Sequence, residues 1–431
     1  MVDERLQPPY LGLVSGSIVA AACILAGFLF ATADRGQTAL GIPLGADFAG
    51  FYVAAQILNQ GQASQLYDRA LHHRLYHELL PKEDQRESIP YVHPPFVAGL
   101  LRPLAALPYP IAVLIWLALS ASFYLSAVVF VLRMLPWQPV SERWLVILIA
   151  ASFEPFLFEC WLGGQLSGIA FLSLALCLTA LNSNKPLLAG SMLGICFYKP
   201  TTLLLLLPLL LVGRRWRMLV GMTITGVVLV GLSVLLVGWD VNIGYLKVLL
   251  SFQQSTSGGD LEIRTWKYVD LNNCLRLLLG DASPAKRPAF FVLGSIPFVL
   301  LSGMWWRYDQ LTPAQQRQVW ATTLTWMPLV NLYFGIYDSI VVVQSASIAA
   351  YLVRQHSEAR TGLRESGIAY LLLAIYVAPW FSQKIALLTG VSIYSVLLAV
   401  LGSCQFFSFY RGDRRAWRVE PATTANLPDV L

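Results

Sequence analysis

The stretches LGLVSGSIVAAACILAGFLFAT (residues 11–32) and MLVGMTITGVVLVGLSVLLVG (residues 218–238) decide the fold class, because neither contains a charged residue. About 20 consecutive apolar residues in a helix span a bilayer. Inside lipid the backbone must satisfy its own hydrogen bonds, and a helix does so within one segment. Both runs are continuous rather than alternating, so they read as helices and not as barrel strands. The first run is too long for a signal-peptide core, and it reads as an uncleaved first helix.

Composition agrees. The chain has 431 residues, 56% hydrophobic and 13% charged, with a mean hydropathy of +0.60. An average soluble domain is about 25% charged. This excludes a soluble enzyme, a disordered chain and a secreted disulfide scaffold. Five of the six cysteines lie in apolar runs, where thiols pack as small hydrophobes; only Cys274 falls in a loop, so no loop disulfide is expected.

The pattern predicts an all-α polytopic membrane protein, one integral membrane domain over residues 1–431, with about twelve spans. They are 11–32, 111–132, 144–162, 166–181, 187–198, 200–212, 218–238, 289–304, 319–337, 339–353, 367–383 and 385–409. Segments 187–198 and 200–212 are short and are interrupted by Lys199-Pro200, so they read as two short spans or one broken helix. Two long loops, 33–110 and 239–288, fall on one side. Arg214-Arg215-Trp216-Arg217 and a tail over 410–431 fall on the other. The positive-inside rule makes that basic side cytoplasmic and the loops extracytoplasmic. The net charge of +6 is then topology, and no nucleic-acid partner is expected. In the first loop, 46–60 and 66–80 read as amphipathic helices, with Gly61 stopping the first.

Asp47 lies in Gly45-Ala46-Asp47-Phe48-Ala49-Gly50-Phe51-Tyr52, just beyond the first span. An acid at a helix start can cap free N–H groups. An acid at a membrane surface can also take a proton from an acceptor hydroxyl. The stretch alone leaves both roles open.

Asp47 through Ala55, Gly61 and Leu66-Tyr67-Asp68 resemble the first outer loop of glycosyltransferase family 87, a polyprenol-phosphate-mannose-dependent, GT-C-type family. Further pieces are similar in the same order: Tyr91-Val92-His93-Pro94-Pro95, Pro103 to Pro108, Trp116, Gly164-Gln165, Lys199-Pro200, Asn272-Asn273 and Tyr337-Asp338. Together they extend over roughly residues 10–350. The resemblance implies a GT-C-type bundle in the bacterial inner membrane, its site facing the periplasm. It implies transfer of a sugar, mannose above all, with inversion. The donor is a polyprenyl-phosphate sugar, the acceptor a glycolipid or glycan, and the only other partners are membrane lipids. Asp47 matches the position of the general base.

Such chemistry needs few protein groups and no protein nucleophile. No Ser/His/Asp or Cys/His arrangement, P-loop or G-x-G-x-x-G motif occurs, and no cofactor is expected. The leaving phosphate needs cations. Lys199, at an apparent outer helix break, is the sharpest candidate, against the alternative of a snorkelling lysine. Arg264 and Lys267 are the next, against an ordinary interfacial belt. Glu154 and Glu159 lie within an apolar span, where acids face a bundle interior or a wet cavity. Five residues apart, they fall about 140° apart on an α-helix. Glu159, Gln165, His93, Tyr337 and Asp338 are candidate substrate contacts, and Tyr337-Asp338 could instead pair with a site cation. His73 and His77, and Asp68 and His72, have the four-residue spacing of metal ligands. That spacing also fits a solvated helix face, and no metal is expected. The rival from another class is a transporter or flippase of lipid-linked sugars, whose signs are inverted repeats and midplane polar groups. A non-catalytic assembly subunit is a third reading.

Overall fold

The computed structural model describes residues 8–34, 36–38, 43–81, 91–135, 137, 140–257, 264–280, 283–357 and 363–411. Among these the chain is helical apart from turns and isolated bridges. The helices are α1 (Pro8–Ala31), α2 (Ala46–Asn59), α3 (Arg69–Leu79), α4 (Pro95–Ala105), α5 (Tyr109–Met134) and α6 (Val140–Ala151). They continue with α7 (Ser167–Asn182), α8 (Pro186–Gly194), α9 (Leu206–Val212), α10 (Trp216–Val237), α11 (Trp239–Ser257) and α12 (Leu271–Leu279). The last are α13 (Lys286–Trp306), α14 (Pro313–Leu329), α15 (Val342–Ser357), α16 (Leu363–Val377), α17 (Pro379–Thr389) and α18 (Ile393–Arg411). The all-α polytopic reading holds.

The expected span count is not reproduced. Among the described residues, six helices are long and apolar enough to cross a membrane, or up to eight if two bent pairs count as spans. Three of the expected spans, 166–181, 187–198 and 200–212, fall on short apolar helices, and α14, which overlaps the expected 319–337, is not counted either. Gly190 packs on the backbone of Met218, Gly194 on Met222 and Thr225, and Phe197 on Gly226. Small residues let the backbones approach this closely. Residues 186–198 therefore run parallel to α10 and stop near its middle, about 15 Å from Trp216 at 1.5 Å per residue. Lys199-Pro200 turns the chain, and α9 returns to Arg214, whose guanidinium lies 4.3 Å from the Trp306 ring. Segment 186–212 is thus a hairpin with its apex at mid-depth. Lys199 sits at that apex and not at an outer helix end.

α7 also starts inside the bundle. Its Gly168 abuts Ser120, well along α5. The two long loops meet: Tyr67 of the first lies against Tyr245 of the second with ring centroids 6.2 Å apart. α2, α3 and α4 fill the described part of the first, and α11 and α12 much of the second. The opposite end carries Arg214, the Arg215–Asp309 pair at 2.5 Å and the Arg354–Glu142 pair.

Candidate active site

α2 is more deeply packed than an amphipathic pattern implies. Phe48, Ala49, Phe51 to Ala55, Ile57 and Leu58 are all buried. Phe48 stacks on Trp116 with ring centroids 5.5 Å apart, and Tyr109 Oη donates to the Leu44 carbonyl at 2.6 Å. Trp116 Nε1 donates to the Gly164 carbonyl at 3.0 Å, and the Asp47 amide donates to the Gly163 carbonyl at 3.0 Å. Gly164 has φ +77°, the left-handed region open to glycine, so the tight turn at Gly164-Gln165 is present. It bears directly on the first turn of α2.

Asp47 does not cap its helix. The N-cap position is Gly45, without a side-chain bond. The capping carboxylate of this loop is Asp68, which accepts from the Leu71 amide at 3.0 Å. Asp47 Oδ2 instead accepts from Gln165 Nε2 at 2.7 Å. Asp47 is exposed, yet enough protein lies around it for desolvation to act on its carboxylate. Desolvation raises its pKa. The Gln165 bond and then the charge of Lys267 oppose that rise; Glu159 adds to it, and Arg264 opposes it. The net effect is upward, towards a stronger base.

Lys267 Nζ lies 3.4 Å from Glu159 Oε2, and Gln383 Nε2 of α17 donates to Glu159 Oε1 at 2.6 Å. Glu159 sits in a π-helical turn, Pro155–Leu162, bent 53° from the helix before it. The i→i+5 bonding of that turn breaks the α-helical assumption behind the 140° separation from Glu154. The two acids interact electrostatically, and Glu154 is buried.

The loop carrying Arg264 and Lys267 is tied down by Asp270, which is fully buried. Its carboxylate accepts from the Asn273 amide at 3.0 Å and the Phe334 amide at 2.8 Å. Tyr268 bridges to Gly335. Tyr337 lies within electrostatic reach of Asp47, Glu159 and Tyr268.

Asp338 pairs with Lys199, while Ser167 Oγ donates to it at 2.7 Å and the Gly335 amide at 3.2 Å. Lys199 Nζ also lies 4.9 Å from the Tyr337 ring centroid. The lysine expected to need an anionic partner therefore has one within the chain. His93 turns towards this pair: its ring lies on Phe51 and the Tyr198 carbonyl, with Nδ1 3.2 Å from the latter. Desolvation, then the Lys199 charge, lowers its pKa to about 4.

The structure thus brings Asp47, Gln165, Glu159, Lys267, Arg264 and Tyr337 within hydrogen-bonding or electrostatic reach of one another, and pairs Asp338 with Lys199, whose charge acts on His93. Gln383, Ser167, Tyr268 and Asp270 join them without any motif that marked them. His72 is buried, its Nε2 2.7 Å from the Leu66 carbonyl; His73 and His77 meet at 3.1 Å, and His77 also packs against the Tyr76 ring. Among the described residues no group of three or more His, Cys, Asp or Glu is placed to hold a metal. A separate cavity of about 190 Å³, lined by Met134, Asn182, Tyr308, Gln316 and Arg317 among others, lies at the opposite end and contains none of the candidates.

The family model described as Glycosyltransferase family 87 matches residues 91–332, more than half of the chain. The match includes Glu159, Gln165, Lys199, Arg264 and Lys267; Asp47 and Asp338 lie outside it. No curated protein and no solved structure matches the chain. On the family match, the chain belongs to glycosyltransferase family 87.

Proposed function

We propose that the protein is an inverting mannosyltransferase of the GT-C type. It takes mannose from a polyprenyl-phosphate donor to a glycolipid or glycan acceptor at the outer face of a bacterial inner membrane. The observation that carries this reading is Asp47, an exposed acid held by Gln165, with its base strength raised and two cations, Lys267 and Arg264, in electrostatic reach. Asp47 accepts the acceptor hydroxyl's proton. The hydroxyl oxygen forms a bond to the sugar's C1, and the bond from C1 to the phosphate oxygen breaks, its electron pair leaving with the phosphate. Lys267 and Arg264 stabilise that growing charge. Gln165 orients the carboxylate from Oδ2 and leaves Oδ1 to the acceptor.

The test uses purified protein in detergent, radiolabelled polyprenyl-phosphate mannose and a panel of lipid acceptors. Wild type should transfer with inversion. Asp47→Asn should fold and lose about 10²-fold or more, the usual contribution of a general base. Normal turnover by folded Asp47→Asn sinks the assignment. Movement of lipid-linked sugar across vesicles without any transfer would favour the flippase.

A further inference from the structure

We propose that Glu159, braced by Gln383, is a positioning residue that keeps Lys267 off Asp47 until an anionic substrate group takes the lysine. This rests on the reading of Asp47 as base.

Lys267 acts on two acids. Its Nζ is 3.4 Å from Glu159 Oε2, and its charge also acts on Asp47. A lysine bonded to Asp47 would occupy the lone pairs that the acceptor hydroxyl needs, and would weaken the base, because an adjacent cation favours the carboxylate form. Glu159 competes for that lysine. Its other oxygen, Oε1, accepts from Gln383 Nε2 at 2.6 Å, so both oxygens are committed and the carboxylate cannot swing away. The brace comes from the side: α17 is bent 72° from the helix before it. The π-helical turn of Pro155–Leu162 sets the carboxylate that meets it. Lys267 is parked with 37% of its side chain exposed, and an arriving phosphate oxygen can take it from Glu159 with the opposite charge already matched.

Glu159 also acts on Asp47 directly, by repulsion. The other charged and titratable groups acting on Asp47 are Arg264 from the same loop as Lys267, and the phenols of Tyr268 and Tyr337. Glu159 is acted on by Lys267 and also lies near Glu154 and Tyr337. Among the described residues, Lys267 bonds to Glu159 while acting on Asp47.

A hydrophobic carbodiimide, which labels protonated carboxyls, tests the proposal on the full chain in detergent. The label on the peptide containing Asp47 is measured against pH by mass spectrometry. In Glu159→Gln the pH of half-labelling should fall by about one unit, the low end of what a neighbouring cation does. Gln383→Leu should move it the same way by less, and Glu159→Asp should keep the wild-type value. In a Lys267→Met background the same Glu159→Gln change should lower it much less, because there only Glu159's own repulsion of Asp47 is lost; an equal fall in both backgrounds overturns the proposal. An unmoved or raised half-labelling pH in folded Glu159→Gln overturns the proposal. Where that variant does not fold, an unmoved value in Gln383→Leu does. Labelling needs no turnover. A shift in a protein that transfers no sugar sinks the function and keeps the latch. No shift in an active enzyme does the reverse.

Discussion

Gly164→Ala isolates the contact on which the position of Asp47 depends. Gly164 has φ +77°, and an alanine there costs about 1–2 kcal/mol for backbone conformation alone. A Cβ at this position would also stand 2.7 Å from Phe48 Cβ and 3.2 Å from Gly45 Cα. Both neighbours belong to a packed backbone turn and cannot rotate away. Overpacking of this kind adds about 1–3 kcal/mol. The internal control is Gly61, with φ +73° and no atom within 4 Å of an added methyl, so Gly61→Ala carries the backbone cost only. Chemical denaturation in mixed micelles should show Gly164→Ala destabilised beyond Gly61→Ala by about 1–3 kcal/mol. Pushing Phe48 also displaces Asp47 beside it, and a misplacement approaching 1 Å can cost about 10²-fold in rate. Transfer should therefore fall in Gly164→Ala and survive in Gly61→Ala. Equal destabilisation of the two variants would refute the close approach of the 163–165 turn to α2.

Lys199→Met or Asp338→Leu alone should cost about 3–5 kcal/mol, since each leaves a buried charge unpaired, while the double variant should cost less than the sum; strictly additive costs in denaturation would deny the pair. His93 has its pKa lowered from 6.5 to about 4, so the fold favours the neutral ring. Its contribution is present above about pH 6.5 and is lost as pH falls towards 4, and His93→Gln should flatten that part of a stability–pH curve. In intact cells, Leu75→Cys should react with an impermeant thiol reagent and Ser183→Cys should not, and the opposite pattern would invert the orientation.

The fold class was legible because uncharged runs of twenty residues have one common solution in lipid. The depth of each run was not. Residues 187–198 and 200–212 look like two spans by composition, yet each of them is only half as deep as α10, and what reveals this is the register of Gly190, Gly194 and Phe197 against α10. Hydropathy records that a segment avoids water, not how far it goes. A hairpin returns to the end it left, so this segment carries the chain across nothing.

Within the site, legibility followed chemistry rather than contact. Lys199 was conspicuous because an ammonium in an apolar stretch demands an answer. The answer was Asp338, 139 positions away, anchored by Ser167 and the Gly335 amide, and no local pattern could choose it over a lipid phosphate. Glu159 was visible for the same reason, but its direction was not, because a π-helical turn rotates every residue after it and leaves no compositional mark. Gln383 and Asp270 were invisible: an amide and an acid in surroundings where either could be ordinary polar residues become significant only when folding aims one at Glu159 and buries the other under Phe334. The carboxylate that stood out, Asp47, did so through its neighbours, and here sequence and structure meet on one cause. Small residues at 45, 46, 163 and 164 let two backbones touch, and that contact turns a would-be helix cap into a side chain held by Gln165 and facing open space.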